Sequence, residues 1–319
     1  MKMKKNILGV DIGGTKCAVI YGQKEGDTLH LVEKVKFPTT SVDETIANIC
    51  SEIEQMMGRH GLDSSNTGAI GISCGGPLDS KRGVVMSPPN LPGWNDIPIV
   101  RMLEERFGIR TGIHNDANAC ALAEWKFGAG VGTQNMVFLT FGTGLGAGLI
   151  LDGKLYAGTN DNAGELGHIR LSEFGPVGYG KCGSFEGFAS GGGIAQLARF
   201  KVSEKQQMGE SVAWCPPGQL DSISAHTVAL AAASGDPLAL EAFRYTAQML
   251  ARALADAVAV TSPEAVFLFG GLAQAGDFLL EPVRRYLDEK LLYVYRGNVK
   301  VLPSGIPAQN AAILGASAL

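Results

Sequence analysis

Asp11-Ile-Gly-Gly-Thr-Lys16 closes an apolar run with an acid, two glycines, a hydroxyl and a cation in six residues. Neighbouring glycines let backbone N–H groups turn together toward an anion, and the adjacent lysine suits that anion to be a phosphate. A tight hairpin turn with positive φ would also use the glycines, but it would explain neither Asp11 at the strand end nor the Thr15–Lys16 pair. A second donor-rich loop runs Thr140-Phe-Gly-Thr-Gly-Leu-Gly-Ala-Gly148 and offers Thr140, Gly142, Thr143 and Gly144. Two such loops facing one another would hold the β- and γ-phosphates of a nucleotide from both sides of a cleft.

Asn115-Asp116 follows the apolar run Thr111 to His114 and immediately precedes a helical pattern. There α/β folds present ligands, and there an N-cap also belongs, so Asp116 reads both as a cap and as a general base. Glu165-Leu-Gly-His168, Glu186, Asn90 and Asn115 add carboxylates and amides of the kind that bind sugar hydroxyls. Two other patterns are decoys. Gly175 to Lys181 fits G-x-x-x-x-G-K, but Cys182 stands where a Ser or Thr would bind Mg²⁺. Gly178, Gly180 and Gly183 spell G-x-G-x-x-G without the preceding strand that a dinucleotide fold requires.

The elements that must carry these groups follow from hydrophobic period. Ile7 to Asp11, Cys17 to Tyr21 and Leu29 to Phe37 read as a three-stranded meander. Ser41-Val-Asp-Glu44 has the spacing of a capping box, and Ile46, Ile49, Ile53 and Met56 continue at helical spacing to Gly58 or Gly61. Strands are predicted at Ala69 to Ser73 and Thr111 to His114, separated by a Pro-rich loop and a helix near Pro98 to Phe107. A helix at Ala117 to Phe127 opens a second series, with strands Met136 to Phe141 and Ala147 to Leu151 around a glycine turn. The likeness to residues 7 to 21 points to an internally duplicated fold. Helices are predicted near Ala189 to Phe200, His226 to Ala233 and Pro237 to Val260, then a strand Ala265 to Phe269 ending in Gly270-Gly271, and a last helix Gln309 to Ala318.

Composition narrows the class. At 319 residues the chain suggests two domains on a prior of about 150 residues each, and two lobes invite a cleft. Its 43 glycines are nearly twice the average share of about 7%, which fits tight turns and backbone approaching a ligand. The net charge is −4 and the basic residues are scattered, so no nucleic-acid stripe is present. Six cysteines without a CxxC pair read as small buried hydrophobes in a reducing cytosol. No signal segment is evident. The uncharged stretch Phe127 to Leu151 is rich in glycine and polar residues and reads as strands, with no role for a membrane.

Taken in order, D-I-G-G-T-K at 11–16, N-D-A-N-A at 115–119, F-G-T-G-L-G at 141–146 and E-L-G-H at 165–168 resemble the ROK (repressor, open reading frame, kinase) family. N-L-P-G-W at 90–94 and F-E-G-F-A-S-G at 185–191 extend the resemblance over nearly the whole chain. It implies an α/β, two-lobed actin-like ATPase (ribonuclease H-like) fold with a duplicated core and central cleft. The expected division is 1–116 with a C-terminal helix of about 305–319 as one lobe, and 117–304 as the other. Asp11, Gly13, Gly14, Thr15, Lys16, Gly142, Thr143 and Gly144 match the family's phosphate motifs, and Gly270 and Gly271 its adenosine-side turn, so ATP with Mg²⁺ is the expected donor. Gly76, Asn90, Asn115, Glu165, His168 and Glu186 fall on sugar-contacting positions and Asp116 on the catalytic base. The resemblance also implies a homodimer or homotetramer.

The chain departs from the family where most members carry C-x-C-G-x-x-G-C, a zinc-binding run completed by the histidine of E-x-G-H. Val177, Tyr179 and Ser184 occupy the cysteine positions and Cys182 falls between them, so structural zinc is expected to be absent. Repressor members carry a helix-turn-helix ahead of the kinase-like part, whereas ten residues precede Asp11 here, so a kinase is the expectation. The expected reaction is ATP-dependent phosphorylation of a hexose or N-acetylhexosamine hydroxyl, on C6, in the cytoplasm. The rival readings are a non-catalytic sugar-sensing protein and an actin-like ATPase with a non-sugar acceptor.

Overall fold

The structure, a computed structural model, describes residues 5–25 and 28–307. The expected final helix, Gln309 to Ala318, lies outside the described residues. The chain divides into two compact units. The first holds the described residues of 1–133, 148–163 and 304–319, and the second holds 134–147 and 164–303.

In the first unit the meander forms as β1 (Lys5–Ile12), β2 (Lys16–Glu25) and β3 (Thr28–Pro38), each pair antiparallel. Helix α1 (Val42–His60) follows, then β4 (Thr67–Cys74), the short β5 (Leu78–Asp79) and β6 (Val84–Val85), α2 (Ile99–Phe107) and β7 (Thr111–Asn115). Sheet order is β3-β2-β1-β4-β7, and β4 runs parallel to both β1 and β7. Leu8, Val10 and Ile12 of β1 share a core with Ile49, Ile53 and Met56 of α1, so the period-2 face of a strand meets the period-3.6 face of a helix. Ser41 occupies the N-cap of α1, but the capping box does not form. The Ser41 side chain makes no cap bond, and the Thr45 hydroxyl instead accepts from Thr40 N at 2.9 Å.

Helix α3 (Asp116–Phe127) continues from β7 without a loop. The second sheet is built on β8 (Met136–Phe141) and β9 (Leu145–Leu151), with β10 (Lys154–Leu155) antiparallel to β9; β8 and the start of β9 belong to the second unit, and residues 148–163 to the first. A small hairpin of β11 (Val177–Gly178) and β12 (Lys181–Cys182) leads to α4 (Phe185–Ala189) and α5 (Gly191–Gln207). Helices α6 (Ala225–Ala233) and α7 (Pro237–Thr261), strand β13 (Ala265–Gly270), helix α8 (Asp277–Lys290) and strand β14 (Lys300–Pro303) complete it. The order β10-β9-β8-β13-β14 makes a second five-stranded sheet, with β13 parallel to β8 and β14. Each sheet thus contains a strand, a glycine turn and an adjacent strand at the place where the two motifs lie.

The helix expected near Ala189 to Phe200 is α5, which starts at Gly191; Ala189 ends the short α4 before it. Ser190 interrupts them because its hydroxyl accepts from Gly193 N at 3.0 Å, starting α5 afresh as an N-cap. The stretch Phe127 to Leu151 contains β8 and β9, and no helix among the described residues is long and apolar enough to cross a membrane. The cysteines are unpaired thiols, five of them buried and Cys182 half-buried.

Candidate active site

The carboxyl ends of three strands lie level in the first sheet, since Ile12 pairs with Cys74 and Cys74 with Asn115. The segments that follow them carry Gly13 to Lys16, Gly76, and Asp116, so one sheet edge presents all three, as parallel α/β sheets present ligands. The 13–16 turn is closed by Gly13 N donating to Lys16 O at 3.1 Å, and the Thr39 hydroxyl donates to Gly13 O at 2.6 Å. Gly14 has no room for a side chain: a Cβ there would stand 2.4 Å from the carbonyl oxygen of Asn90. Glycine at that position therefore lets the Asn90 loop close on the turn. Gly14, Thr15, Lys16, Gly76 and Asn90 are all exposed.

Asp11 is half-buried one residue before the end of β1, aligned with Ser73, whose side chain hydrogen-bonds its carboxyl. Burial pushes this carboxyl above the ordinary aspartate range; the charge of Asp116 adds to the rise, and Lys34 and Lys36 offset part of it.

Asp116 is not the N-cap. Asn115 holds that position, its Oδ1 accepting from Asn118 N at 2.7 Å, while Asp116 is the first helical residue and accepts from Ala117 N at 2.8 Å. The cap therefore occupies the oxygen of Asn115 and leaves its amide N–H groups as donors. Water can reach Asp116 at its surface, yet the protein around it strips enough hydration to raise its carboxyl, with the Ala117 N–H opposing the rise. An exposed carboxylate whose surroundings favour its protonated form has the basicity wanted of a proton acceptor.

In the second unit β8 ends at Phe141 opposite Gly270 of β13. Gly270 adopts φ of 100°, and a Cβ there would fall 2.2 Å from Phe141 O; Gly271 N donates to the same carbonyl at 3.0 Å. Gly142 N closes the second loop onto Gly144 O at 3.0 Å. Gly191 N and Gly192 N, the first amides of α5, donate to Gly142 O and Thr143 O at 3.0 and 3.1 Å. Those bonds occupy the loop's carbonyls. Gly142, Thr143 and Gly271 are exposed, and a Cβ added at Gly142 or Gly271 would meet nothing within 4 Å. The open side fits a phosphate group; Thr140 stands half-buried at the end of β8 behind it.

Glu186 is bound to this loop. Its Oε2 accepts from Leu145 N at 2.9 Å, and a Cβ on Gly144 would lie 2.5 Å from that oxygen. Glu165 and His168 stand 3.9 Å apart, both accessible. The Tyr179 ring meets His168 edge-on at 5.6 Å and 87°, and the Lys181 ammonium donates to His168 O. Cys182 Sγ donates to Gly175 O at 3.2 Å, and Ser184 Oγ caps α4 by accepting from Gly187 N at 3.1 Å.

The structure thus gathers the expected residues into two sets. Asp11, Gly13 to Lys16, Gly76, Asn90, Asn115 and Asp116 belong to the first unit; Thr140, Gly142 to Gly144, Glu165, His168, Glu186, Gly270 and Gly271 belong to the second. Sequence reading missed Ser73, Lys34, Gly191 and Gly192. The Gly191-Gly192-Gly193 run was the available signal for the last two, because three glycines opening a helix imply close backbone approach.

Two five-stranded sheets, each with a glycine turn between adjacent strands, are the hallmark of the actin-like ATPase fold, the class expected. Comparison narrows this further. The ROK family model matches residues 7–319, and the chain belongs to that family. It is 34% identical over 316 residues to a glucokinase of Streptomyces coelicolor, covering 98% of this chain and 96% of the relative. It is 32% identical over 290 residues to an N-acetylmannosamine kinase of Citrobacter koseri, covering 89% of each. Among solved structures, a ROK family glucokinase from Streptomyces griseus in complex with glucose and AMPPNP matches with a TM-score of 0.75 at 31% identity, covering 98% and 97% of the two chains. A ROK family transcriptional regulator, a homolog of the E. coli MLC protein, matches with a TM-score of 0.84 at 27% identity, covering 99% of this chain and 78% of that one.

Proposed function

We propose that this chain is an ATP-dependent sugar kinase that phosphorylates a hexose or N-acetylhexosamine on its C6 hydroxyl, with Asp116 as the general base. The observation that carries the reading is Asp116 itself: freed from capping by Asn115, at the carboxyl edge of the sheet, with a carboxyl of raised basicity. The glucokinases and the N-acetylmannosamine kinase among the relatives, and the glucose and AMPPNP of the Streptomyces griseus structure, support the two substrate classes. The Gly13–Lys16 turn and the Gly142–Gly144 loop would hold the phosphates and Gly270–Gly271 the adenosine side. MgATP supplies the phosphoryl group and the charge of its metal. Asp116 takes the proton of the attacking hydroxyl, and Asn90, Asn115, Glu165 and His168 orient the ring through its other hydroxyls.

A coupled ADP-release assay across hexoses and N-acetylhexosamines tests this directly. Sugar-stimulated turnover is expected, and turnover that no sugar stimulates rejects it. The same assay addresses the second reading, a sugar-binding regulator, which the likeness to the MLC homolog favours. That reading predicts hexose binding without ADP release.

Gly14→Ala is expected to raise KM for ATP about tenfold and KM for the sugar by a smaller factor, because the new methyl distorts the turn itself and must also push Asn90, whose carbonyl would stand 2.4 Å away. Steady-state kinetics varying each substrate in turn checks the split.

The residues at the family's zinc positions do not fit that metal. Val177 and Tyr179 offer no thiolate, Ser184 is occupied as a helix cap, and Cys182 is bonded to a backbone carbonyl. We expect metal analysis of the purified protein to find less than stoichiometric zinc, and thermal stability to be unchanged by a chelator.

A further inference from the structure

A cavity of about 540 Å³ lies within the first unit, along the edge strand β7. Arg110 and His114 line it from that strand and the residue before it, Ser80 and Lys81 from the β5–β6 turn, and Tyr156 and Asp161 from the segment after β10. Successive side chains of a strand point to opposite faces, so His114 leaves β7 on the side opposite Asn115. The lining of the cavity includes none of Asp11, Gly13 to Lys16, Asn90, Asn115 and Asp116.

Its charge is unbalanced. Lys81 and Arg110 form no ion pair among the described residues. The one carboxylate in the wall, Asp161, is 9% exposed, and its two oxygens accept from Ser80 N and Ser80 Oγ, both at 2.7 Å. Asp161 is thus committed to holding its loop against the β5–β6 turn, at a left-handed φ of 59° that an aspartate adopts at some cost. What remains is a recess with a guanidinium, an ammonium, an imidazole and a phenol around it, and no free acid among those groups.

We infer that this cavity is a second small-molecule site, built for a phosphomonoester dianion. Arg110 offers the paired N–H donors that match phosphate oxygens, Lys81 adds a compact charge, and His114 lies deeper in the wall as a further donor. The volume falls within the range of small-ligand pockets and exceeds what a bare phosphate fills, leaving space for a ring beside Tyr156. Burial holds the His114 imidazole below its ordinary pKa, with Asp161 opposing, and a dianion beside it would favour the protonated ring. The inference does not depend on the role assigned to Asp116.

The test is NMR titration of His114, identified among the five histidines by the resonance lost in His114→Gln. Inorganic phosphate and a hexose 6-phosphate are added separately, with chloride matching the ionic strength. At least one is expected to raise the His114 pKa by about one unit. A shift with both would mean the phosphate suffices, and a shift with the hexose phosphate alone would mean the ring is also read. In the double variant Lys81→Gln/Arg110→Gln, whose altered side chains are exposed, the affinity should fall at least about tenfold, on the scale of lost charged hydrogen bonds. Turnover at saturating ATP and sugar should be unaltered. A His114 titration that neither compound moves, or a shift that survives intact in the double variant, overturns the inference.

Discussion

Replacing Asp116 with asparagine should lower kcat by about 10²- to 10⁴-fold, the usual worth of a positioned general base, while sugar and nucleotide dissociation constants change little. Asparagine keeps the shape and can still accept from Ala117 N, so α3 should start as before. Direct binding by calorimetry and turnover by ADP release, on the same preparation, separate the two effects. Near-normal turnover would remove Asp116 from the chemistry.

The raised carboxyl of Asp116 gives the parent protein a pH signature that the variant should lack. The base works as a carboxylate, so kcat/KM should fall with decreasing pH from a point above the ordinary aspartate range. Stability runs the other way. A carboxyl whose folded pKa exceeds its unfolded value favours folding below the unfolded pKa, and that contribution is lost as pH rises through the folded value. Ionised Asp116 therefore opposes folding at neutral pH. Asp116→Asn should melt at a slightly higher temperature there, and the gain should disappear in acid.

The largest loss of stability is expected at Glu124. Its side chain is fully buried in α3 and accepts from Ala129 N at 2.7 Å, from Gly305 N at 3.0 Å and from the Ser304 hydroxyl. One carboxylate thus ties the end of α3 to the strand–helix connection at 129 and to the chain's return at 304–305, all inside the first unit. The neighbours leave no slack, since a Cβ on Gly128 would lie 2.6 Å from the Glu124 carboxyl carbon and one on Gly305 2.7 Å from Ala129 N. Glu124→Ala leaves the Ala129 and Gly305 amides and the Ser304 hydroxyl without their acceptor, at a cost of about 3 kcal/mol, since each charged hydrogen bond contributes about 1.5–3 kcal/mol and the partly exposed donors recover bonds to water. Urea denaturation should show a lower midpoint with an unchanged slope. A midpoint within error of the parent would mean water replaces the carboxylate freely.

How these residues came to be recognised differs from case to case. The turns at Asp11 to Lys16 and Thr140 to Gly144 were legible in the chain, because a glycine turn between two strands is a local object whose residues sit within a few positions of one another. The strands and helices that carry them were legible for the same reason: Ile46, Ile49, Ile53 and Met56 repeat at the period of a helix, and that helix buries this face. The capping box at Ser41 was misread, and the start of the helix expected at Ala189 was placed two residues early. Both depend on which backbone N–H a hydroxyl takes, since Ser41 makes no cap bond while Thr45 accepts from Thr40 N, and Ser190 takes Gly193 N; spacing alone does not decide this.

Other features belong to tertiary structure alone. The choice of Asn115 over Asp116 as cap turned on a rotation of one residue at a strand–helix junction. The bond of Glu186 to Leu145 N spans 41 residues, that of Asp161 to Ser80 spans 81, and that of Glu124 to Gly305 spans 181. Contacts of that range leave no periodic trace in the chain. They exist because two segments, each stable for its own local reasons, are brought within hydrogen-bond distance by the packing of the sheets and helices between them.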